Sequence, residues 1–357
     1  MGWINEAELS EEERRKIRRQ MRNRAILRWF GHLAGRLLTR IEVTGKENIP
    51  TEGPVIFAAN HLSTYDAVLM LVHLPPQTQI LGPGDFKLLW PANIIVENIG
   101  IIMVKRGAVD RHSMREMEKV LKNGGFLGLF PEGGTWEKGL EDVKSGAAYL
   151  SATTGATIVP IALGNTYQVW SKMFRLKRPK VTMHFCEPMP PVQLSGDRKT
   201  RQQELQDASV ELMKRIFEHL PPSDQKFYLE MPRRRYRGIL TFEPSIALDT
   251  TSDFSGIAEL VSKPNLFSPL HRNAKLPLKP FTSHLGRFVT AEELDVAARS
   301  LLTAFENDFK GFLEYRLGEE KEQRILGDLK ELVSVAQHAA KESAKVKFDV
   351  QMWLAEG

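Results

Sequence analysis

The stretch PVIFAANHLSTYDAVLMLVHL, residues 54–74, contains a short apolar run, a polar break and a second apolar segment, in that order. The run Pro54–Ala59 predicts a buried strand, and Ala67–Leu74 predicts a helix that ends before Pro75. The polar residues 60–63 predict a turn at the carboxyl end of the strand. This unit indicates an α/β fold, because buried strands that lead into covering helices usually pair in parallel.

Strands and helices alternate in the same way after this unit. Further apolar runs predict strands at 99–104, 126–130, 157–163 and 180–185. Helical spacing of apolar residues predicts helices at 113–122, 146–154 and 200–220. We therefore expect a mixed, largely parallel sheet flanked by helices.

The first part of the chain carries the whole net charge. The sequence has 49 basic and 44 acidic residues, and residues 1–40 alone hold ten basic and five acidic ones. Residues 11–41 have the apolar spacing of one or two helices, with Trp29 and Phe30 on the apolar side. We expect an amphipathic basic segment that binds membrane lipids through residues 14–41. Two alternatives stay open: a surface helix docked on the domain, and nucleic-acid binding, which no nucleic-acid fold signature supports.

The last third of the chain has a different composition from the centre. Two prolines at 221–222 and the basic run Arg233–Arg235 mark the boundary, which gives a central domain at 41–235. We expect residues 236–357 to form a mostly helical extension, with one helix over 326–346. This extension contains no catalytic motif, and a structural or partner-docking role is the simplest interpretation.

Several classes of protein are excluded by composition. Cys186 is the one cysteine, so neither a disulfide framework nor a multi-cysteine zinc site is possible. The sequence has no apolar run of about 18 residues, the length that a membrane-spanning helix requires. The first segment is charged, so we do not expect it to be a cleavable signal. We expect an intracellular protein that is soluble or lies on a membrane surface.

His61 and Asp66 form a His-x4-Asp pattern immediately after the first predicted strand. On one continuous helix the two side chains would lie about 140° apart, so His61 must lie in the turn if they meet. Ser63 and Asp66 match a helix capping box, which predicts such a turn. Asp66 would then orient His61 as a general base. The spacing alone is weak, because His219 and Asp224 share it at a helix end, and a structural role for His61 stays open.

Two further segments lie at predicted strand ends, where α/β sheets bind ligands. The segment Phe130–Thr135 reads Phe-Pro-Glu-Gly-Gly-Thr, and Glu132 and Thr135 could bind hydroxyl groups. Lys105 and Arg106 follow another strand and suit a phosphate. The alternatives for these segments are a tight turn and ordinary surface charges.

Taken in order, these segments resemble the motifs of the glycerophospholipid acyltransferase family, typified by the 1-acylglycerol-3-phosphate acyltransferases. The resemblance covers roughly residues 40–220. It rests on Asn60–Asp66 (Asn-His-x4-Asp), Gly100–Gly107 (an apolar strand that ends in Arg), Phe130–Thr135 (Phe-Pro-Glu-Gly), Ile158–Ala162 (Val-Pro-Ile) and Lys144–Ala148. One position departs from the family, because Gly134 and Thr135 stand where Thr-Arg is common.

The resemblance implies acyl transfer from acyl-CoA or acyl-carrier protein to the free hydroxyl of a lysophospholipid, with no metal and no other cofactor. It implies that His61 is the general base, that Asp66 orients it, and that backbone N–H groups near the helix start stabilise the oxyanion. The substrate-binding residues that it implies are Lys105, Arg106, Glu132, Gly133, Gly134, Thr135 and Lys144.

The expected product is phosphatidate, made from 1-acyl-sn-glycerol-3-phosphate in phospholipid biosynthesis. Because the Arg of the third motif is missing, the acceptor could also be another lysolipid or glycerol 3-phosphate. A third possibility is a non-catalytic lipid-binding protein of the membrane surface. The resemblance and the basic segment together imply a cytoplasmic protein, peripheral on the inner face of the cell membrane, and no nucleic-acid partner is expected.

Overall fold

The computed structural model describes residues 10–83, 92–104, 110–133, 143–167, 169–246, 250–262 and 277–356. The chain divides into two compact units, Met1–Met231 and Pro232–Gly357.

The first unit is built on a seven-stranded sheet. Its strands are β1 (Arg40–Thr44), β2 (Val55–Ala59), β3 (Gln79–Pro83), β4 (Ile102–Val104), β5 (Phe126–Leu129), β6 (Thr157–Gly164) and β7 (Lys180–Phe185). They lie in the order β1-β7-β6-β2-β5-β3-β4, and each neighbouring pair is parallel except β6 with β7. The predicted mixed, largely parallel sheet is confirmed.

Helices flank this sheet. They are α1 (Glu11–Leu38), α2 (Thr64–His73), α3 (Ala92–Ile99), α4 (Arg111–Lys122), α5 (Gly146–Thr154), α6 (Val169–Phe174), α7 (Arg198–Glu218) and α8 (Pro222–Glu230). Strand β2 is buried along its whole length, and its side chains alternate between two core layers. Ile56 and Ala58 pack with residues of α4, α5 and α7, whereas Val55, Phe57 and Ala59 pack with residues of α2. Burial on both sides explains the unbroken apolar run, which is typical of parallel strands.

The sequence did not predict β1, β3 or the helices α3, α6 and α8, and it placed β4 with different bounds. The predicted first helix gives way to β1, because Thr39 caps α1 and the chain continues extended from Arg40. The predicted strand 99–104 begins three residues late, because Ile99 still belongs to α3 and Gly100, at φ +64°, separates it from β4.

Helix α1 docks on the domain through a narrow polar face. The guanidinium of Arg24 is buried and donates to the carbonyl oxygens of Thr78, Ile99 and Gly100. Two turns further on, Gly31 lies so close to α2 that an added Cβ would stand 2.4 Å from a methyl group of Val72. The fully buried residues of α1 are therefore one polar and one small residue, Arg24 and Gly35, and half-buried apolar side chains flank them: Ile17, Met21, Leu27 and Leu38.

The opposite face of α1 is apolar and exposed. Its large side chains are Ile26, Trp29, Phe30, Leu33 and Leu37, of which Trp29 is 61% and Leu37 is 62% exposed. The amphipathic pattern is thus real, but its apolar side does not face the core.

The second unit has its own sheet and core. Strands β8 (Arg234–Glu243), β10 (Lys345–Leu354) and β9 (Phe288–Thr290) pair antiparallel in that order. Its helices are α9 (Ser255–Val261), α10 (Leu278–His284), α11 (Ala291–Glu306), α12 (Phe312–Leu317) and α13 (Glu319–Lys341). The helical extension is confirmed, but the helix predicted over 326–346 was placed wrongly at its end. Alternating Val346, Phe348 and Val350 continue as a strand, which pairs with β8 along its whole length.

Candidate active site

The turn between β2 and α2 is anchored at both ends. The amide of Asn60 pairs with the backbone of Leu163 in β6, accepting from its N–H at 2.7 Å and donating to its carbonyl at 3.0 Å. Ser63 caps α2 together with Asp66, so the predicted capping box is confirmed. The sequence motif alone predicts no role for Asn60, and the structure shows that its side chain joins the turn to the neighbouring strand β6.

His61 and Asp66 meet inside this turn. The distance from His61 Nδ1 to Asp66 Oδ2 is 3.0 Å, and the same carboxylate oxygen accepts from the N–H of Ser63 at 2.7 Å. Because a carboxylate only accepts hydrogen bonds, His61 Nδ1 carries a proton, and in the neutral ring Nε2 then has the free electron pair. Asp66 is fully buried, whereas the His61 side chain keeps 14% of its surface exposed. The pair therefore has the geometry of an oriented general base that solutes can reach.

The loop after β5 supports His61 from a second direction. The ring of Phe130 stacks on the imidazole with centroids 3.9 Å apart and an interplanar angle of 12°. The carboxylate oxygen Glu132 Oε1 accepts from the backbone N–H of His61 at 2.9 Å. The first and third sequence motifs therefore form one site.

Glu132 is buried and is shared between two donors. Its Oε1 also accepts from the hydroxyl of Tyr228 in α8 at 2.8 Å. Burial raises the pKa of the Glu132 carboxyl to about 8, although both hydrogen bonds act in the opposite direction. Burial, followed by the neighbouring Glu132, also raises the pKa of Tyr228 well above its ordinary value. Tyr228 lies far from every sequence motif, and no local pattern could have identified it.

The remaining predicted site residues fall into two groups. The N–H of Gly133 donates to Phe130 O at 3.0 Å, and its φ of +72° turns the chain beside Glu132. The N–H of Lys144 donates to Pro131 O at 3.0 Å, and its side chain is exposed. Lys105, Arg106, Gly134 and Thr135 lie outside the described residues.

The backbone donors at the start of α2 already have protein partners. The N–H of His61 donates to Glu132, that of Ser63 to Asp66, and that of Tyr65 to the Ser63 hydroxyl. The expectation that N–H groups near this helix start bind an oxyanion is therefore wrong for these three groups.

One group of possible metal ligands occurs elsewhere in the described part of the chain. His184, Cys186 and His219 have ligand atoms within 4.8 Å of one another. Each is already held by a protein oxygen: His184 by the Thr44 hydroxyl, and the other two by the carbonyl of Arg215. Burial raises the pKa of the Cys186 thiol to about 12, which agrees with its predicted place in the core.

Comparisons with known proteins show similarity to acyltransferases. A family model described as Acyltransferase matches residues 40–164. A 1-acyl-sn-glycerol-3-phosphate acyltransferase from Borreliella burgdorferi is 31% identical over 136 residues, which cover 37% of this chain and 54% of that protein. The match thus spans about half the length of that relative. A protein of the same name from Haemophilus influenzae is 24% identical over 200 residues, or 54% of this chain and 81% of that protein.

Among solved structures, the crystal structure of PlsC, the 1-acyl-sn-glycerophosphate acyltransferase of Thermotoga maritima, is similar with a TM-score of 0.41 and 22% identity, covering 54% of this chain and 78% of that chain. The matched segment 40–164 contains His61, Asp66 and Glu132, which the structure brings together. Residues 40–164 therefore match the family model of acyltransferases, and this segment is similar to 1-acyl-sn-glycerol-3-phosphate acyltransferases.

Proposed function

We propose that this protein transfers a fatty acyl chain from a thioester donor, acyl-CoA or acyl-carrier protein, to the free hydroxyl of 1-acyl-sn-glycerol-3-phosphate, which yields phosphatidate. The observation that carries the proposal is the His61–Asp66 pair at 3.0 Å, which lies within the segment matched to acyltransferases. The similarity to two 1-acyl-sn-glycerol-3-phosphate acyltransferases supports the choice of acceptor.

The proposed reaction uses no acyl-enzyme. His61 Nε2 removes the proton from the acceptor hydroxyl as its oxygen attacks the thioester carbonyl. The tetrahedral intermediate collapses, the C–S bond breaks, and the imidazolium returns its proton to the leaving thiolate. Asp66 keeps the ring in the required tautomer and stabilises the imidazolium, and Glu132 holds the backbone of His61 in place.

The substrate contacts are proposed from the sequence motifs. Lys105, Arg106 and Lys144 hold the acceptor phosphate, since paired cations suit such a group. Gly133, Gly134 and Thr135 lie along the glycerol. Glu132 was predicted to bind substrate hydroxyls, but the hydrogen bonds of its Oε1 to His61 and Tyr228 favour a positioning role.

The site is proposed to work at a membrane surface. None of the described helices is long and apolar enough to cross a bilayer. The exposed apolar face of α1, together with its many arginines, supports peripheral binding to anionic lipids through residues 14–41, on the cytoplasmic side of the cell membrane.

The decisive experiment compares His61→Ala with His219→Ala, which alters the other His-x4-Asp pattern. Purified variants are assayed with radiolabelled acyl-CoA and 1-acyl-sn-glycerol-3-phosphate. We expect His61→Ala to lose about a hundredfold or more in kcat and His219→Ala to keep its activity. Equal activity of both variants would remove His61 from the mechanism.

A related acceptor is the second candidate, because the cation of the third motif is missing at Gly134–Thr135. A panel of glycerol 3-phosphate, other lysophospholipids and phosphate-free acceptors tests this. A higher kcat/KM for a phosphate-free acceptor would replace the lysophosphatidate assignment. Liposome binding without any acyl transfer would favour a non-catalytic lipid-binding protein.

A further inference from the structure

An exposed apolar turn follows α6. Phe174 is 74% exposed and Leu176 is 78% exposed, and no other large apolar side chain in the described part of the chain is more accessible. Phe174 is the last residue of α6, and Leu176 lies in the short turn between α6 and β7. Two adjacent apolar side chains held out into solvent are unfavourable unless something covers them.

The same turn has a strong local positive charge. Residues 171–180 contain five basic residues and no acidic one, and all five basic side chains are exposed. They are Lys172, Arg175, Lys177, Arg178 and Lys180. Only Lys180 has an acidic partner in the described structure, Glu42 at 2.8 Å. Exposed apolar side chains surrounded by cations suit an anionic bilayer, which has an apolar interior and negatively charged headgroups.

The turn has a defined backbone conformation. The N–H of Leu176 donates to Met173 O at 2.8 Å, and the N–H of Lys177 donates to Lys172 O at 3.0 Å. Leu176 itself has a φ of +53°, a conformation that a leucine rarely adopts and that asparagine and glycine tolerate better. An apolar residue therefore stands at a position whose positive φ favours asparagine or glycine.

The turn is joined to the carboxyl end of α1. The guanidinium of Arg178 donates to the carbonyl of Arg36 at 2.9 Å, and the N–H of Arg40 donates to Pro179 O at 2.9 Å. This end of α1 carries the exposed residues Leu33 and Leu37. The exposed apolar face of α1 and the turn are thus neighbours on the same unit.

The turn is also connected to the candidate active site. The ring of Phe174 stacks at 6.2 Å on Trp170, whose indole N–H donates to the Thr64 hydroxyl at 2.9 Å. Thr64 is the first residue of α2 and follows His61 by three positions. Any surface that binds the turn therefore lies close to the segment that carries His61, the proposed base.

We infer that the turn Phe174–Arg178 is a second membrane contact, which inserts Phe174 and Leu176 into an anionic bilayer beside α1. The inference rests on the proposed membrane-surface function and extends it to a segment that lies outside 14–41. Two contacts from separate parts of the sequence fix the orientation of the domain on the bilayer, whereas one helix would leave it free to rotate about the helix axis. The active-site helix α2 then faces the lipid that carries the acceptor.

The first test uses the full chain with Phe174→Gln and Leu176→Asn, substitutions chosen because asparagine accepts the positive φ and glutamine suits a helix end. Binding to vesicles of phosphatidylglycerol and phosphatidylcholine is measured by co-sedimentation. Val296→Gln, which changes a side chain that is 66% exposed on α11, is the control. We expect about tenfold weaker binding for the double variant, because it loses two apolar side chains that would be buried in the bilayer. The control should bind as strongly as the unaltered protein.

The second test removes charge. Arg175→Gln with Lys177→Gln is compared with Arg198→Gln and Lys199→Gln, two exposed cations at the start of α7. Each cation lost from the contact should weaken binding to anionic vesicles about fivefold and leave binding to neutral vesicles unchanged. Equal binding of the turn variants, the controls and the unaltered protein would overturn the inference.

The two proposals fail separately. Acyl transfer to a short-chain, monomeric acceptor depends on His61 and not on the bilayer, so the turn variants should retain it. Deletion of residues 1–38 that abolishes vesicle binding, combined with turn variants that bind normally, would assign the contact to α1 alone. Lost activity on the monomeric acceptor in both turn variants would show that the turn serves the site and not the membrane.

Discussion

His61 is held by contacts from three segments of the chain. Asp66 fixes its ring nitrogen, Glu132 fixes its backbone and Phe130 covers one face of its ring. A general base works best when its ring cannot rotate away from the acceptor hydroxyl, because every unproductive ring orientation lowers the fraction of productive complexes. The contribution of each contact to catalysis and stability can be measured separately with substitutions that keep the shape of the side chain.

Asp66→Asn keeps the shape of the side chain and removes its charge. The amide can no longer stabilise an imidazolium, and its NH2 group can favour the wrong tautomer of His61. We expect kcat to fall at least about a hundredfold with KM nearly unchanged. Steady-state kinetics with circular dichroism as the folding control measures this. A kcat within threefold of the unaltered enzyme would contradict the assigned role.

Glu132 should make the stability of the fold depend on pH. Its pKa is about 8 in the folded protein against an ordinary value of 4.5, so between these values the folded state binds the proton that the unfolded state has released. The stability that this carboxyl contributes is complete below pH 4.5 and is lost as the pH rises through about 8. Glu132→Gln is neutral throughout. We expect its stability relative to the unaltered protein to rise by up to about 1.4 kcal/mol per pH unit across this window.

Urea unfolding of both proteins at several pH values tests this, and parallel stability curves would contradict it. Tyr228→Phe provides a second check with a defined sign. The Tyr228 hydroxyl lowers the pKa of Glu132 by its hydrogen bond, so its removal should extend the loss of stability to higher pH. The variant should also lose about 1 kcal/mol of stability from the missing hydrogen bond.

At the scale of elements, α1 is an amphipathic helix whose largest apolar side chains lie on its exposed face. Its buried side carries Arg24 and the glycines Gly31 and Gly35, whereas Trp29 and Phe30 lie outside. Buried cations are rare unless they are fully hydrogen-bonded, and Arg24 meets this condition with three carbonyls and the Gln79 side chain. Burial lowers its pKa to about 10, so it stays charged at neutral pH.

Arg24→Met should release α1 from the domain. The substitution keeps much of the apolar stem but leaves several carbonyl oxygens without a donor, at a cost of about 3 kcal/mol. Hydrogen exchange should then be faster along Glu11–Leu38. Arg22→Met, which alters an exposed arginine of the same helix, is the control and should leave exchange unchanged. Equal protection in both variants would show that other contacts dock the helix.

Sequence patterns predicted the elements whose signals are local. Strand β2, the turn and α2 follow from an apolar run and a capping box, so the meeting of His61 and Asp66 could be expected. The bond from Tyr228 to Glu132 joins residues 96 positions apart, and no spacing rule reveals such a contact. Likewise, the pattern of α1 shows that it has an apolar face but not which face the domain covers.

At the scale of the whole molecule, charge and core packing describe two distinct units. The excess charge of +5 equals that of residues 1–40, and residues 171–180 form a further local concentration of cations. A core cluster of 20 buried residues lies entirely within 254–348, and the other two clusters lie entirely within the first unit. Each unit thus closes a hydrophobic core of its own, which is the property of an independently folding domain.

The second unit should therefore fold when residues 232–357 are produced alone. Its core contains Leu329, which is completely buried on α13, and Leu329→Ala should lower its unfolding free energy by about 2 to 5 kcal/mol. Leu326→Ala, at a partly buried position of the same helix, should cost less. Circular dichroism and urea unfolding of the fragment measure both effects.

Since the proposed catalytic residues all lie before Met231, residues 1–231 should also retain acyl transfer to a monomeric acceptor. A folded but inactive 1–231 fragment would show that the extension takes part in the reaction.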